Sequence, residues 1–328
     1  MSSQAGAAPR ILVVKLSSLG DVVHAMPAVQ DMRQALPGAR IDWVVERGFA
    51  PLVRRCQGVQ RVIECELRRW TKAPLARPTR EAWRAFRREL RLQPYDAVVD
   101  LQGLTKSALV ARTARLAEGG RRYALANRTE GSSWEAPTRW VADVAVRIEP
   151  RIHAVDRSRE LCARALGYAV SGPERFGLVA AAGTQPSGEV ALVHGTSRDD
   201  KLWPEDHWID LGRRLQARGH RLGLPHGSDA ERERAARLAA ALPGAAVWPR
   251  LDLGLLTDRL AGCQGVIGVD SGLSHIATAL DLPHVQVYNF DTAWRTGPVG
   301  RPRQRGVFAA PTPPVDAVWA AWEQVSAA

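Results

Sequence analysis

Residues 11–27 of the chain read ILVVKLSSLGDVVHAMP, and this stretch decides the predicted fold. Its first four residues are apolar, as in a strand that is buried on both faces. From Val22 onward, apolar residues recur at helical spacing. A turn of small residues between a buried strand and a helix lies at the carboxyl edge of an α/β sheet, where ligands bind. The turn therefore predicts a site, with Asp21 as its carboxylate; a simple helix cap is the alternative for this residue.

Strand and helix patterns go on alternating through the first half of the chain. Strands are predicted at residues 11–14, 41–45, 61–63 and 97–101, and helices at 22–36, 50–55, 79–92, 106–116 and 155–166. The basic, polar residues 119–139 are predicted to be mostly loop. Such alternation implies right-handed crossovers and a parallel sheet.

A second alternation begins after residues 172–188, which are rich in Gly, Pro, Ala and Ser. Its predicted strands are 190–194, 221–225, 246–248, 265–269 and 284–288, and its helices are 205–218, 230–242, 252–261 and 274–280. We therefore predict an α/β chain of two doubly wound domains, residues 1–172 and 189–310, with a linker at 173–188 and a ligand cleft between the domains. In the tail, residues 311–328, the apolar face of a last helix predicts core packing on a domain surface.

Composition restricts the class of protein. The chain has 328 residues, 45% of them hydrophobic, without an apolar run long enough to span a membrane. Residues 1–9 contain no apolar signal core, so we expect a cytoplasmic protein. The four cysteines lack metal-type spacing, which predicts reduced thiols and no zinc site.

The net charge of +11 favours an acidic partner, which could be a nucleic acid, a nucleotide-linked substrate or an anionic membrane surface. An arginine-rich composition with solvated faces is the alternative. The charge is concentrated in residues 68–91, where nine cations stand against Glu81 and Glu89. Three of these cations precede the predicted helix and flank Trp70. Loop cations beside an aromatic ring suit a phosphorylated or carboxylated ligand, or a membrane surface.

Two turns in the second domain suit a nucleotide. Residues 270–275, DSGLSH, follow a strand and open a helix, whose first N–H groups suit a phosphate; a helix cap is the alternative. Residues 195–204, GTSRDDKLWP, offer hydroxyls and Lys201 to a diphosphate, or form an ordinary polar connection. Their position at strand ends of the same domain favours a nucleotide. The chain contains no phosphate-loop signature, and no G-x-G-x-x-G follows its first strand, which argues against a kinase or a dehydrogenase.

Several segments together resemble the lipopolysaccharide heptosyltransferases, glycosyltransferases of family 9 with the GT-B architecture of two Rossmann-like domains facing across a cleft. The segments are residues 11–27, 41–50 (IDWVVERGFA), 68–72, 95–107 (YDAVVDLQGLTKS), 159–168, 196–208 (TSRDDKLWPEDHW) and 271–280. The resemblance covers nearly the whole chain. The motifs at 196–204 and 270–275 point to the heptosyltransferase I branch.

The resemblance implies an inverting transfer of L-glycero-D-manno-heptose from ADP-heptose to a Kdo sugar of Kdo2-lipid A, a step of lipopolysaccharide inner-core synthesis. It implies Asp21 as the general base. ADP-heptose is a co-substrate, and no cofactor or metal is implied. The enzyme would be cytoplasmic and peripherally associated with the inner membrane, and would not bind nucleic acid. The family architecture also directs the last helix back toward the N-terminal domain.

Site residues follow from the same resemblance. Lys201 is implied in catalysis beside Asp21, because positive charge near the diphosphate helps ADP to leave. The implied donor-binding residues are Thr196, Ser197, Lys201, Glu231, Leu251, Asp270, Ser271, Gly272, Leu273 and His275. The implied acceptor-binding residues are Ser18, Gly20, Arg68, Arg69, Lys72, Lys106 and Arg128. Residues 289–294, NFDTAW, depart from the Gly-Pro-Thr-Asp-like turn of the family, so no donor contact is assigned there.

Three alternatives stay open. A heptosyltransferase II-like enzyme would act on an already heptosylated core. A nucleic-acid-binding protein would fit the charge, although no helix-turn-helix or aromatic RNA-binding motif stands out. A sugar-nucleotide sensor without activity would fit the predicted donor site, but it would give Asp21 no role.

Overall fold

The computed structural model describes residues 8–298 and 300–328. They form two compact units, one ending at Gly177 and the other beginning at Leu178. The division lies within the predicted linker, where residues 169–188 form neither a helix nor a strand ladder. The prediction that no signal sequence is present concerned residues 1–9. Of these, residues 1–7 lie outside the described residues.

The N-terminal unit is built on a six-stranded parallel sheet in the order β3-β2-β1-β4-β5-β6. Its strands are β1 (Arg10–Val14), β2 (Arg40–Glu46), β3 (Val59–Cys65), β4 (Tyr95–Asp100), β5 (Leu116–Leu125) and β6 (Val144–Val146). Its helices are α1 (Leu19–Ala35), α2 (Ala50–Val53), α3 (Leu67–Trp70), α4 (Arg77–Leu90), α5 (Thr105–Thr113), α6 (Thr138–Val141) and α7 (Ala154–Leu166).

The apolar stretch after residue 10 forms the central strand β1, as predicted. Ile11 pairs in register with Ile41 of β2 and with Ala97 of β4. The side chains of Leu12 and Val14 are fully buried in the core of this unit. The strand order reverses between β1 and β4, and ligands bind at such switch points of parallel sheets.

The C-terminal unit repeats the plan with the strand order β12-β11-β10-β7-β8-β9, all parallel. Its strands are β7 (Glu189–Val193), β8 (Arg221–Leu224), β9 (Ala246–Val247), β10 (Gly265–Val269), β11 (His284–Tyr288) and β12 (Gln304–Phe308). Its helices are α8 (Glu205–Ala217), α9 (Asp229–Ala241), α10 (Leu253–Ala261), α11 (Gly272–Ala279), α12 (Ala293–Thr296) and α13 (Val315–Ser326). The predicted α/β class with parallel sheets is confirmed.

Helix α13 buries its apolar face in the core of the C-terminal unit. Val318, Trp322 and Val325 are almost completely buried in one cluster with residues of the sheet. A Cβ atom at Gly265 of β10 would lie 2.6 Å from the Trp322 ring, so glycine lets the indole approach the sheet. The predicted core packing of this helix is confirmed. Its return toward the N-terminal domain stays a prediction.

The prediction that residues 119–139 are mostly loop is confirmed for residues 126–137, but it missed strand β5, which covers the residues up to Leu125. This strand pairs in parallel with β4 and β6, yet most of its side chains are only partly buried. Backbone pairing does not require apolar side chains, so the Gly-Gly-Arg-Arg centre of β5 gave no strand pattern. The prediction also omitted β12, an edge strand whose central residues are exposed.

Two predictions from composition, reduced cysteines and no membrane-spanning helix, can be compared with the described residues. All four cysteines, Cys56, Cys65, Cys162 and Cys263, are buried and free, which confirms the prediction of unpaired thiols. Within residues 8–298 and 300–328, no helix has both the length and the apolar character needed to cross a bilayer.

Candidate active site

Asp21 lies in the first turn of α1, directly after the carboxyl end of β1. The Ser18 backbone N–H and hydroxyl donate to its Oδ2, at 3.2 Å and 2.9 Å. Asp21 therefore does take part in capping the helix. Its Oδ1 faces two cations: Lys15 Nζ lies 3.4 Å away and Arg157 Nη2 lies 3.5 Å away. One oxygen thus fixes the turn while the other belongs to a charged cluster.

The two cations keep Asp21 ionised. Burial alone would raise the pKa of Asp21, but Lys15 and Arg157 outweigh it and hold this pKa well below its usual range. The Lys15 ammonium is almost completely buried, and it also donates to the Leu101 carbonyl at 3.2 Å. Burial lowers the pKa of Lys15, and Asp21 opposes that effect. The Asp21 side chain is 35% exposed, so a ligand has access to this carboxylate.

The loop after β4 supports the turn after β1. Gln102 Oε1 accepts hydrogen bonds from the backbone N–H groups of Leu16 and Ser17, both at 3.1 Å. Asp100 in turn accepts from the Gln102 N–H and from Ser107 Oγ, both at 2.9 Å. Burial raises the pKa of Asp100 to about 6. The neighbouring strand therefore holds the Asp21 turn in place through a continuous hydrogen-bond network.

The predicted acceptor residues also follow strand ends of this sheet. Arg68 and Arg69 follow β3 and are exposed, as is Lys72 in the next turn. Arg69 pairs with Glu66 at 2.9 Å. Lys106 is exposed in the first turn of α5, after β4. Within the described residues, no hydrogen bond or ion pair joins these four cations directly to Asp21.

Ser18 and Gly20 adjoin the charged cluster, and the Arg128 loop is connected to it by a hydrogen bond. Ser18 bonds Asp21 directly, and Gly20 precedes Asp21 in the first turn of α1. Arg128 is exposed in the loop after β5, where its Nε donates to the Ser132 carbonyl at 3.1 Å. The next residue, Thr129, accepts a hydrogen bond from Arg157 through its Oγ1, at 3.2 Å. The Arg128 loop is thereby connected to Asp21.

In the C-terminal unit, Asp270 is the centre of a second charged cluster. Lys201 Nζ lies 2.5 Å from Asp270 Oδ2, and His275 Nε2 lies 3.6 Å from Oδ1. The Thr196 hydroxyl donates to the Asp270 carbonyl oxygen at 3.1 Å. Asp270 and His275 are buried, whereas the Lys201 side chain is 20% exposed. The ion pair of Lys201 and the hydrogen bond of Thr196 therefore connect the turn after β7 with the turn after β10. In the sequence, these two turns are separate motifs.

Ser271 is the N-cap residue of α11, and Gly272 and Leu273 form its first turn. The Ser271 hydroxyl does not cap the helix, and it is buried without a hydrogen-bond partner among the described residues. The first N–H groups of a helix have no intrahelical acceptor and carry the positive end of its dipole. With Lys201 beside them, these groups are suited to hold a phosphate.

Glu231, Leu251 and Ser197 complete the predicted donor set at the same sheet edge. Glu231 lies in the first turn of α9, and its Oε2 accepts from the Gly227 N–H at 2.6 Å. A Cβ atom at Gly195 would lie 2.6 Å from Glu231 Oε1, so the glycine lets this carboxylate approach the turn after β7. Ser197 is exposed, and Leu251 is partly buried before α10. All ten predicted donor residues therefore follow carboxyl ends of strands in the second sheet.

The structure adds residues that sequence reasoning missed. Lys15 was a visible signal, since a cation directly after an apolar strand is unusual. No sequence pattern pointed to Arg157, because it lies in an ordinary amphipathic helix far along the chain from Asp21. Gln286 Nε2 lies 3.4 Å from Asp270 Oδ1 and was hidden within an apolar strand. Asn289 donates through Nδ2 to the carbonyls of Asp200 and Leu202, at 3.0 Å and 2.9 Å.

The chain is similar to known proteins over most of its length. Residues 83–312 match the family model for glycosyltransferase family 9 (heptosyltransferase). Lipopolysaccharide heptosyltransferase 1 of Escherichia coli K12 is 42% identical over 85% of this chain and 87% of its own length. The enzyme of the same name from Pseudomonas aeruginosa is 40% identical over 89% of this chain and 82% of its own. A solved structure, E. coli heptosyltransferase WaaC with ADP, superposes with a TM-score of 0.86 at 36% identity and covers 96% of this chain and 99% of that one.

Proposed function

Because the chain belongs to glycosyltransferase family 9, the heptosyltransferases, we propose that it transfers L-glycero-D-manno-heptose from ADP-heptose to a Kdo sugar of Kdo2-lipid A, with inversion at the anomeric carbon. The similarity to heptosyltransferase 1 enzymes over most of the chain supports this step of lipopolysaccharide core synthesis. The observation that carries the mechanism is the accessible, ionised Asp21 carboxylate at the edge of the first sheet.

In the proposed reaction, an acceptor hydroxyl attacks the anomeric carbon as the bond to the ADP oxygen breaks. Asp21 accepts the hydroxyl proton. The hydroxyl becomes strongly acidic only as its oxygen bonds to carbon, so a carboxylate of low pKa accepts the proton late in the step. Lys15 and Arg157 hold the oxygen that takes this role, and Ser18 holds the other. One base and direct displacement give inversion.

The C-terminal unit supplies the groups that we propose for the donor. Lys201 and the first N–H groups of α11 would stabilise the charge that develops on the departing diphosphate. Glu231 and Leu251, at the ends of β8 and β9, would contact the nucleoside side. The related solved structure with ADP supports a nucleotide site in this fold. We propose that these groups act without a resident metal or organic cofactor.

The acceptor carries anionic groups and is anchored in a lipid bilayer. Arg68, Arg69 and Lys72 after β3, with Lys106 and Arg128, would bind its phosphates and carboxylates. Lipid anchoring of the acceptor would place the enzyme at the cytoplasmic face of the inner membrane as a peripheral protein. The concentration of positive charge in residues 68–91 supports this location.

The test of the proposed base replaces the carboxylate with the amide of equal size. Asp21→Asn should lower kcat for heptose transfer to Kdo2-lipid A by about 10²- to 10⁴-fold, the range for loss of a general base. ADP binding, measured by calorimetry, should stay at the wild-type value because the donor residues lie in the other unit. Near-normal turnover in the folded variant would reject Asp21 as the base. Preference for a heptosylated core over bare Kdo2-lipid A would instead favour the heptosyltransferase II-like assignment.

A further inference from the structure

An apolar groove of about 450 Å³ lies between α3, α4 and the exposed side of α5, in the N-terminal unit. Its walls include Trp70, Trp83 and Pro74, and Leu109 of α5. The Trp70 and Trp83 rings meet edge to face with centroids 5.7 Å apart. Phe86, packed against both rings, is buried beneath them. The groove therefore has a rigid aromatic floor.

Arginines line the same groove. Arg80, Arg84 and Arg87 follow the spacing i, i+4 and i+7, so they share one face of α4 with Trp83. All three are exposed, and none makes an ion pair or a side-chain hydrogen bond with another described residue. Elsewhere on the same helix, Arg77 pairs with Glu81 at 2.8 Å. The groove-lining arginines thus keep their charge available to an external anion.

Large apolar side chains are exposed beside these cations. Leu75, in the turn before α4, is 83% exposed, and Leu109 on the groove wall is 50% exposed. Between Arg68 and Arg91 the chain has nine cations and two carboxylates, a net charge of +7 out of the total of +11. Apolar and aromatic side chains among unpaired arginines are typical of a helix that lies in the interface of an anionic bilayer.

We propose that the face formed by this groove, Leu75 and the α4 arginines seats the enzyme on an anionic lipid bilayer. The arginines would contact lipid phosphates, while Leu75, Trp83 and Leu109 enter the boundary with the acyl chains. A bilayer matches both features at once, since it offers a continuous anionic surface above a hydrocarbon layer. The inference rests on the proposed function, whose lipid-anchored acceptor lies in such a bilayer. It assigns membrane contact to side chains other than the five cations proposed for the acceptor sugars, although Trp70 of the groove lies beside three of them.

The test measures binding to vesicles of equal parts phosphatidylglycerol and phosphatidylethanolamine by cosedimentation. The double variant Arg84→Gln/Arg87→Gln should bind about thirtyfold more weakly than the wild type, the effect of removing two arginines at an anionic surface. Leu109→Ser should also weaken binding, and added salt should weaken the wild type. The matched control Arg213→Gln/Arg305→Gln removes two exposed arginines of the other unit and should bind like the wild type.

A second readout separates this inference from the proposed function. On an acceptor whose acyl chains have been removed, Arg84→Gln/Arg87→Gln should transfer heptose at the wild-type rate. Loss of that activity would place the arginines in the sugar site and overturn the inference. Unchanged vesicle binding by the double variant, or binding of an acidic protein but not of vesicles, would overturn it as well. If the wild type bound vesicles through this face but transferred no heptose, the inference would stand and the proposed function would fail.

Discussion

Asp21 shares its Oδ1 with two cations of different origin, Lys15 from the end of β1 and Arg157 from α7. The pKa of Asp21 lies well below its usual range because of them, so the wild-type enzyme should keep its base ionised throughout the ordinary working pH. Removal of either charge raises this pKa. The pH dependence of the reaction therefore reports directly on the cluster.

We predict that Arg157→Met raises the pKa of Asp21 by about one unit, at the low end of the effect of an adjacent arginine. The acidic limb of kcat/KM, where Asp21 takes up a proton, should move to higher pH in this variant. The measurement is a pH–rate profile that starts at neutral pH and extends below the ordinary carboxyl pKa of about 3.9, because the lowered pKa of Asp21 lies in that acidic range. Arg157→Lys keeps the charge and should keep the limb near its wild-type position. An identical limb in all three proteins would contradict the assignment of Asp21 as the titrating base.

Asp100 should make the protein less stable as the pH rises. Its pKa of about 6 in the folded protein exceeds the value near 3.9 of an unfolded chain, because burial penalises its charge. Its contribution to the free energy of unfolding is therefore complete below about pH 4 and lost as the pH rises through about 6. The loss is about 3 kcal/mol for two pKa units.

Asp100→Asn should remove the loss of stability that the wild type shows as the pH rises through about 6. The amide oxygen can accept from the Gln102 N–H. The amide NH2 can donate to Ser107 Oγ when the Ser107 hydroxyl turns from Asp100 to the Leu104 carbonyl, which lies 2.7 Å away. Urea unfolding at a series of pH values should show that the wild type is the more stable protein only at the acidic end. A constant difference between the two proteins across that range would contradict the raised pKa.

At the scale of elements, Asn289 connects two loops of the C-terminal unit. It follows β11 and donates two hydrogen bonds to the segment that carries Lys201, while its Oδ1 accepts from Thr312 Oγ1 at 2.9 Å. The segment 289–294, which departs from the family pattern, therefore still has a structural role beside the proposed donor site. We infer that Asn289 positions Lys201 without touching the ligand.

Asn289→Asp retains the size and the acceptor of this side chain but removes the donor. Loss of the two hydrogen bonds should raise the KM for ADP-heptose about thirtyfold, since each bond contributes about 1 kcal/mol. Thr312→Val removes only the bond to Oδ1 and should leave KM near the wild-type value. Steady-state kinetics at saturating acceptor distinguishes the two variants. Equal KM values for Asn289→Asp and the wild type would show that the Lys201 loop needs no such anchor.

The elements that sequence could predict are those whose burial is marked by apolar periodicity. Strand β1, buried on both faces, and the turn with Asp21 were visible for this reason. Strand β5 was not, because its ladder is formed by backbone groups of Gly and Arg residues that leave no alternating pattern. The same limit applies to the site. Short motifs located Asp21, Lys201 and Asp270, whereas the partnership of Arg157 with Asp21 arises only when α7 packs against α1.

At the scale of the whole molecule, each unit has its own hydrophobic core. The N-terminal core includes Leu90 and Val98, and the C-terminal core includes Ile267 and Trp322. A chain with two such cores can unfold in two steps. The proposed donor residues all lie in the C-terminal unit, so ADP should stabilise the unfolding step of that unit in particular.

A substitution in α13 can test whether the two units unfold in separate steps, because this helix supplies Trp322 to the C-terminal core. Trp322→Ala should lower the free energy of unfolding of that unit by about 3–5 kcal/mol, the usual cost of deleting a buried tryptophan. In calorimetry, the variant should show a lower midpoint for the step that ADP raises. Leu90→Ala, in the fully buried part of the other core, should lower the step that ADP leaves unchanged. If Trp322→Ala shifted only the step that is insensitive to ADP, the nucleotide site would not belong to the unit that α13 completes.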